Sequence, residues 1–142
     1  MEPRGLATAL ARGRIAIGAA ALAAPGVAGR VMLGREGSRP GVKALARMLG
    51  GRDLVLGLGV IIALDRGAPV RGWLEACAVA DTVDLVACTV AREEIPRVTY
   101  VNTVVLAGVA ALAGLWLSRR LDPAPAADPG HPEAIATGHP AA

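Results

Sequence analysis

The chain has no phenylalanine, and its aromatic residues are only Trp73, Tyr100 and Trp116. A soluble core of this size ordinarily draws much of its volume from aromatic rings. Here Ala, Gly, Val and Leu must fill that space, and such small residues favour the close helix–helix approach of membrane bundles. Lysine occurs once, at Lys43, so the net charge of +3 rests on arginine. No basic face interleaved with aromatic platforms is available to hold bases, which excludes nucleic acid as a partner. The two cysteines, Cys77 and Cys88, cannot make a disulfide framework. Within one straight helix their separation is about 16 Å, too far for a disulfide or a shared metal ion. Serine is confined to Ser38 and Ser118, and both histidines, His131 and His139, lie near the C-terminus. There is no HExxH, no phosphate-binding loop and no serine–histidine pair, and "GLG" at 57–59 lacks the context of a dinucleotide fingerprint. The chain is therefore read as no enzyme, with no cofactor and no metal.

What is present is apolar surface. Hydrophobic residues make up 54% of 142 positions although 19% are charged, and the mean hydropathy is +0.48. That length holds one domain or a handful of membrane helices. The clearest span is "VTYVNTVVLAGVAALAGLWLS", 98–118, uncharged throughout, with Pro96 before it and Arg119 and Arg120 after it. About 20 apolar residues cross the hydrocarbon core, and Tyr100 and Trp116 sit where interfacial aromatics belong. Three more segments qualify less cleanly. One is 72–91, interrupted by Glu75, Asp81 and Asp84; a second is 42–64, which contains Arg52 and Asp53. The third is 6–30, with Arg12 and Arg14 inside it and Pro25 placed to kink or end it. Short turns at 34–41, 65–71 and 92–97 then give an all-α, up-down-up-down bundle of four transmembrane helices over residues 1–120. Residues 121–142 hold five of the ten prolines and are expected to be a disordered tail. Two rival readings are a cleaved secretory signal over the N-terminal run and a soluble four-helix protein. Basic residues divide seven to six between the two sides, with both termini assigned to the cytoplasmic side.

Charges inside a membrane are costly and normally meet partners in the bundle interior. At about 1.5 Å of rise per residue, Arg52 lies roughly 18 Å deep, Asp53 about 16 Å, Asp84 about 18 Å and Asp81 about 14 Å. Arg14 falls at roughly 13 Å, Arg12 at about 10 Å and Glu75 at about 5 Å. The expected pairs are therefore Arg52 with Asp84, Arg14 with Asp81, and Arg12 with Glu75, leaving Asp53 to face another helix or an arginine of the first. Gly50, Asp53 and Gly57 share a stripe that would bring another backbone close, and Gly114 lies on a comparable smooth face with Ala107 and Ala111.

The order "RMLGGRDLVLGL", a turn, then "ADTVDL", together with the earlier "RGRIAIGAAALAAPG", resembles small bacterial four-helix integral membrane proteins, many of them actinobacterial. The resemblance covers about residues 6–118, and its most specific part is the Gly-x-Arg-Asp element of Gly50, Gly51, Arg52 and Asp53, followed by Gly57. It implies a four-helix membrane fold and carries no settled activity. The expected protein is thus a multi-pass protein of the cell membrane with a structural or accessory role. Its partners would be the lipid bilayer and a second copy or another membrane protein. The alternative is a proton- or cation-coupled carrier using Asp81 and Asp84, whose carboxylates would repel on a shared face.

Overall fold

A computed structural model describes residues 2–122, and every regular element among them is helical. The helices are α1 (Pro3–Ala23), α2 (Pro25–Leu33), α3 (Pro40–Asp65), α4 (Arg71–Val90) and α5 (Arg97–Leu121), with a 3₁₀ turn at Gly34–Ser38 between α2 and α3. Proline opens α1, α2 and α3. At a helix start its missing N–H is no loss and its fixed φ is already helical. The expected first span of 6–30 is not one helix. The residue before a proline is pushed out of the helical region, and Ala24 accordingly adopts φ −129° and ψ 58°. Pro25 therefore ends α1 and starts α2 as a separate element.

α1 and α3 pack lengthwise, as do α4 and α5, and each pair runs antiparallel. In the first pair Gly18 lies against Gly50 and Leu54, while Gly57 lies against Ala11 and Ile15. In the second, Gly114 lies against Leu74 and Ala78, and Asp122 at the end of α5 meets the start of α4. These are small-residue seams. α1 buries Ala7, Ala11, Gly18 and Ala21, a spacing that keeps one face of a helix, and α5 does the same with Ala107, Ala111, Gly114 and Ser118.

The two pairs join at one end of the molecule, where α1 begins, α3 ends, α4 begins and α5 ends. Val60, Leu64, Val70, Leu74 and Leu117 form the core there with Ala7, Ala11, Ala63 and Cys77. Arg4 clasps this end by donating from Nη2 to the Leu64 carbonyl at 2.5 Å. On α4, burial stops at Asp81. Residues 121 and 122, assigned to the expected tail, belong to the folded part. Leu121 is the last residue of α5, and Asp122 accepts hydrogen bonds from the backbone N–H groups of Val70 and Arg71, the latter at 2.7 Å. Those N–H groups are the unpaired donors of the α4 N-terminus. The rest of the expected tail lies outside the described residues.

Large apolar side chains are also exposed on the outward surface. Val79, Val83, Val86 and Val90 on α4 are exposed, as are Val98, Val105, Val109 and Leu112 on α5. α1 and α5 are long and apolar enough to cross a membrane. α3 and α4 carry more charge along their length, and Arg52, Asp53, Asp81 and Asp84 of these helices lie in the site described next.

Candidate functional site: an Arg–Asp ladder joining three helices

Arg14 sits near the middle of α1, on the face shared with Ala11, Gly18 and Ala21. It is directed at the inter-helix space because the small residues of that face let α3 come close. Its Nη1 donates to Asp53 Oδ1 on α3 at 2.9 Å. Its Nη2 straddles both carboxylate oxygens of Asp81 on α4, at 2.6 and 2.5 Å. The guanidinium thus ties α1 to two other helices.

Arg52 completes the arrangement. Nη1 and Nη2 donate to the two oxygens of Asp84 at 2.8 and 2.6 Å, the paired geometry that makes arginine–carboxylate contacts strong. Nη2 and Nε also donate to Asp53 Oδ1, at 3.1 and 3.3 Å. Asp53 Oδ1 therefore receives both arginines. The groups run Asp81–Arg14–Asp53–Arg52–Asp84, an alternating ladder of three carboxylates and two guanidiniums. Exposure rises along it, from 9% for the Asp81 side chain to 31% for Asp84. The deep end abuts the core at Cys77, one turn before Asp81, and the shallow end faces the half of α4 where burial has ceased.

The structure separates two other residues from this cluster. Arg12 is exposed and makes no ion pair among the described residues. Glu75 pairs instead with Arg71 one turn earlier on α4, at 2.7 Å, with both side chains more than 40% exposed. The expected Arg12–Glu75 pair is corrected on simple geometry. Positions two apart on a helix point to nearly opposite sides, so Arg12 cannot share the inward face that Arg14 occupies. Depth alone was an insufficient guide because it ignores rotation about the helix axis.

The three glycines expected at helix seams are all buried. A Cβ on Gly50 would come within 2.8 Å of the Gly18 carbonyl, and one on Gly57 within 2.8 Å of the Ala11 carbonyl. At Gly114 the nearest atom would be the Leu74 carbonyl at 3.2 Å. Gly18, the partner of Gly50, had a readable signal: it follows Ala7, Ala11 and Arg14 at helical spacing. Gly59, whose missing side chain leaves room for the Trp73 ring, had none, because that contact depends on how α3 and α4 meet. No grouping of acidic, histidine or cysteine residues able to hold a metal occurs among the described residues.

Comparison with protein families, curated proteins and solved structures finds no match.

Proposed function

We propose that this protein is a four-span integral membrane protein in which the Arg–Asp ladder locks α1, α3 and α4 in register, serving as a structural or accessory component of the membrane. The observation that carries this reading is that the charged side chains inside the bundle bond to one another across three helices. Four charged residues of α3 and α4, Arg52, Asp53, Asp81 and Asp84, are joined to one another and to Arg14. Interior charges in lipid require such partners, and the outer faces carry many exposed apolar side chains, among them Val79, Val83 and Val86 of α4 and Val105, Val109 and Leu112 of α5. Lengths agree: the 21 residues of α1 and 20 of α4 rise about 31 and 30 Å, close to the hydrocarbon thickness.

A second reading has its own observation. Three carboxylates against two guanidiniums leave the ladder one negative charge in excess, which a proton or cation would balance. This supports carriage of such an ion, with Asp84 as the more accessible acid.

The deciding experiment is carbonate washing of membranes containing wild type and Asp84→Asn. Wild type is expected to resist extraction; its release would refute the membrane reading. Depletion of the variant supports the register lock. Equal retention of both, with proton or cation flux abolished in the variant, supports the carrier.

A further inference from the structure

α2 and the 3₁₀ turn fold back on each other with their backbones in contact. A Cβ on either Gly29 or Gly37 would strike the other's backbone, and Gly34 makes the reversal at φ +59°. The hydroxyl of Thr99 donates to the Met32 carbonyl and ties this unit to the start of α5. The reversal sets Arg30, Gly34, Arg35 and Ser38 around an open pocket of about 470 Å³.

The donors in that pocket are arranged for an anion. Arg30 Nε donates to Ser38 Oγ at 2.7 Å. That bond fixes the guanidinium plane and leaves both terminal nitrogens of Arg30 to meet a ligand. Ser38 Oγ, having accepted, still has its own proton to donate. Neither Arg30 nor Arg35 pairs with a carboxylate among the described residues, and the neighbouring acid, Glu36, is engaged by Arg39 at 2.7 Å. Over residues 25–43 four cations, Arg30, Arg35, Arg39 and Lys43, stand against that one carboxylate. A planar fork beside a second guanidinium and a hydroxyl is matched to the tetrahedral oxygens of a phosphate.

We propose that this pocket is a phosphate-recognition site whose ligand is the phosphodiester of an anionic phospholipid. The choice of a lipid rests on the membrane reading above; the phosphate chemistry does not. α1 alone rises the thickness of the hydrocarbon, so α2, which follows it, lies at headgroup level. Val27, Val31 and Met32 of α2 are exposed and provide apolar surface for acyl chains beside the basic pocket. A zwitterionic headgroup would bring a cation of its own to a site that already holds two unneutralised arginines.

The test measures binding of short-chain phosphatidylglycerol to the full-length protein in neutral detergent, against short-chain phosphatidylcholine and inorganic phosphate. Phosphatidylglycerol is expected to bind roughly tenfold more tightly than phosphatidylcholine. Arg30→Gln and Arg35→Gln are each expected to weaken it by about tenfold, the loss of one charge-assisted contact. Arg30 and Arg35 are exposed, so both variants should keep the wild-type gel-filtration profile. Lys43→Gln and Arg47→Gln remove the same charge from the start of α3, outside the pocket, and should cost no more than about fivefold. If they weaken binding as much as the pocket variants, diffuse charge explains the affinity and the site is refuted. If inorganic phosphate binds as tightly as the lipid, the lipid assignment is overturned, and that result stands whether or not the chain crosses a membrane.

Discussion

Asp81 carries the largest consequence of any single side chain in the ladder. It is 6% exposed, and Arg14 Nη2 has both its contacts with it. Removing one partner of a buried ion pair costs about 3–5 kcal/mol when it strands the other; Arg14 keeps Asp53 through Nη1, which sets the cost near the lower end, about 3 kcal/mol. Asp81→Ala is therefore expected to lower stability by about that much, read as the shift in a denaturant titration of the purified protein in detergent micelles. Asp84→Ala should cost less, since its carboxylate is more exposed and Arg52 keeps its contacts to Asp53. Glu75→Gln should change stability by no more than about 0.5 kcal/mol, because its pair with Arg71 is exposed and within one helix. An order with Glu75 above Asp81 would remove the ladder as the organising feature. A double-mutant cycle over Arg14 and Asp81 isolates their coupling from the burial of each group.

At the scale of the helix, the glycines divide into seam and spacer positions. Gly51 and Gly57 lie less than two turns apart on α3, yet a Cβ on Gly57 would meet the Ala11 carbonyl, whereas one on Gly51 would meet nothing within 4 Å. Gly57→Ala must therefore push α1 away from α3, with an expected cost of about 1–3 kcal/mol. Gly51→Ala should be neutral or stabilising by up to about 1 kcal/mol, since alanine loses less backbone freedom in a helix. Thermal midpoints of the two purified variants, measured side by side, check the contrast. The α4 N-terminus supplies a second comparison. Asp122 fills the role of an N-cap from another helix, so Asp122→Ala should cost about 1 kcal/mol. Truncation after 120 should destabilise relative to truncation after 122, with slowed amide exchange at Val70 and Arg71 lost only in the shorter chain.

Across the molecule, packing is concentrated at one end and apolar surface is left outward along every helix. A helix with apolar residues around its whole circumference is stable when buried or when lipid surrounds it. Val86 and Val109 are more than half exposed in the protein alone. With Cys77 and Cys88 replaced by alanine, Val86→Cys and Val109→Cys are expected to resist a charged maleimide in intact membranes. Both should react after transfer to denaturing conditions. Rapid labelling in membranes would place those faces in water and restore the soluble four-helix reading.

The comparison of sequence with structure turns on what is periodic and what is not. The all-α class, the turns, a disturbance at Pro25 and the small-residue stripe of α3 were legible because helix periodicity and proline chemistry are local, though whether Pro25 kinks or ends the helix was not. Each acts within one or two turns of the chain. The Arg52–Asp84 and Arg14–Asp81 contacts were accessible from depth, since rise per residue is constant in every α-helix and antiparallel neighbours can be aligned from their shared turn. Tertiary structure alone decided the remainder. Asp53 receives two arginines at one oxygen because three helices converge there, and Arg12 is excluded because rotation about the α1 axis turns it outward. Asp122 was assigned to a tail by composition, yet the antiparallel return of α5 brings it to the bare N–H groups of α4. The pocket of Arg30, Arg35 and Ser38 likewise exists only because two glycines let a short helix fold back on its own turn. Local chemistry determined which segments are helices; the approach of one backbone to another determined which charges meet.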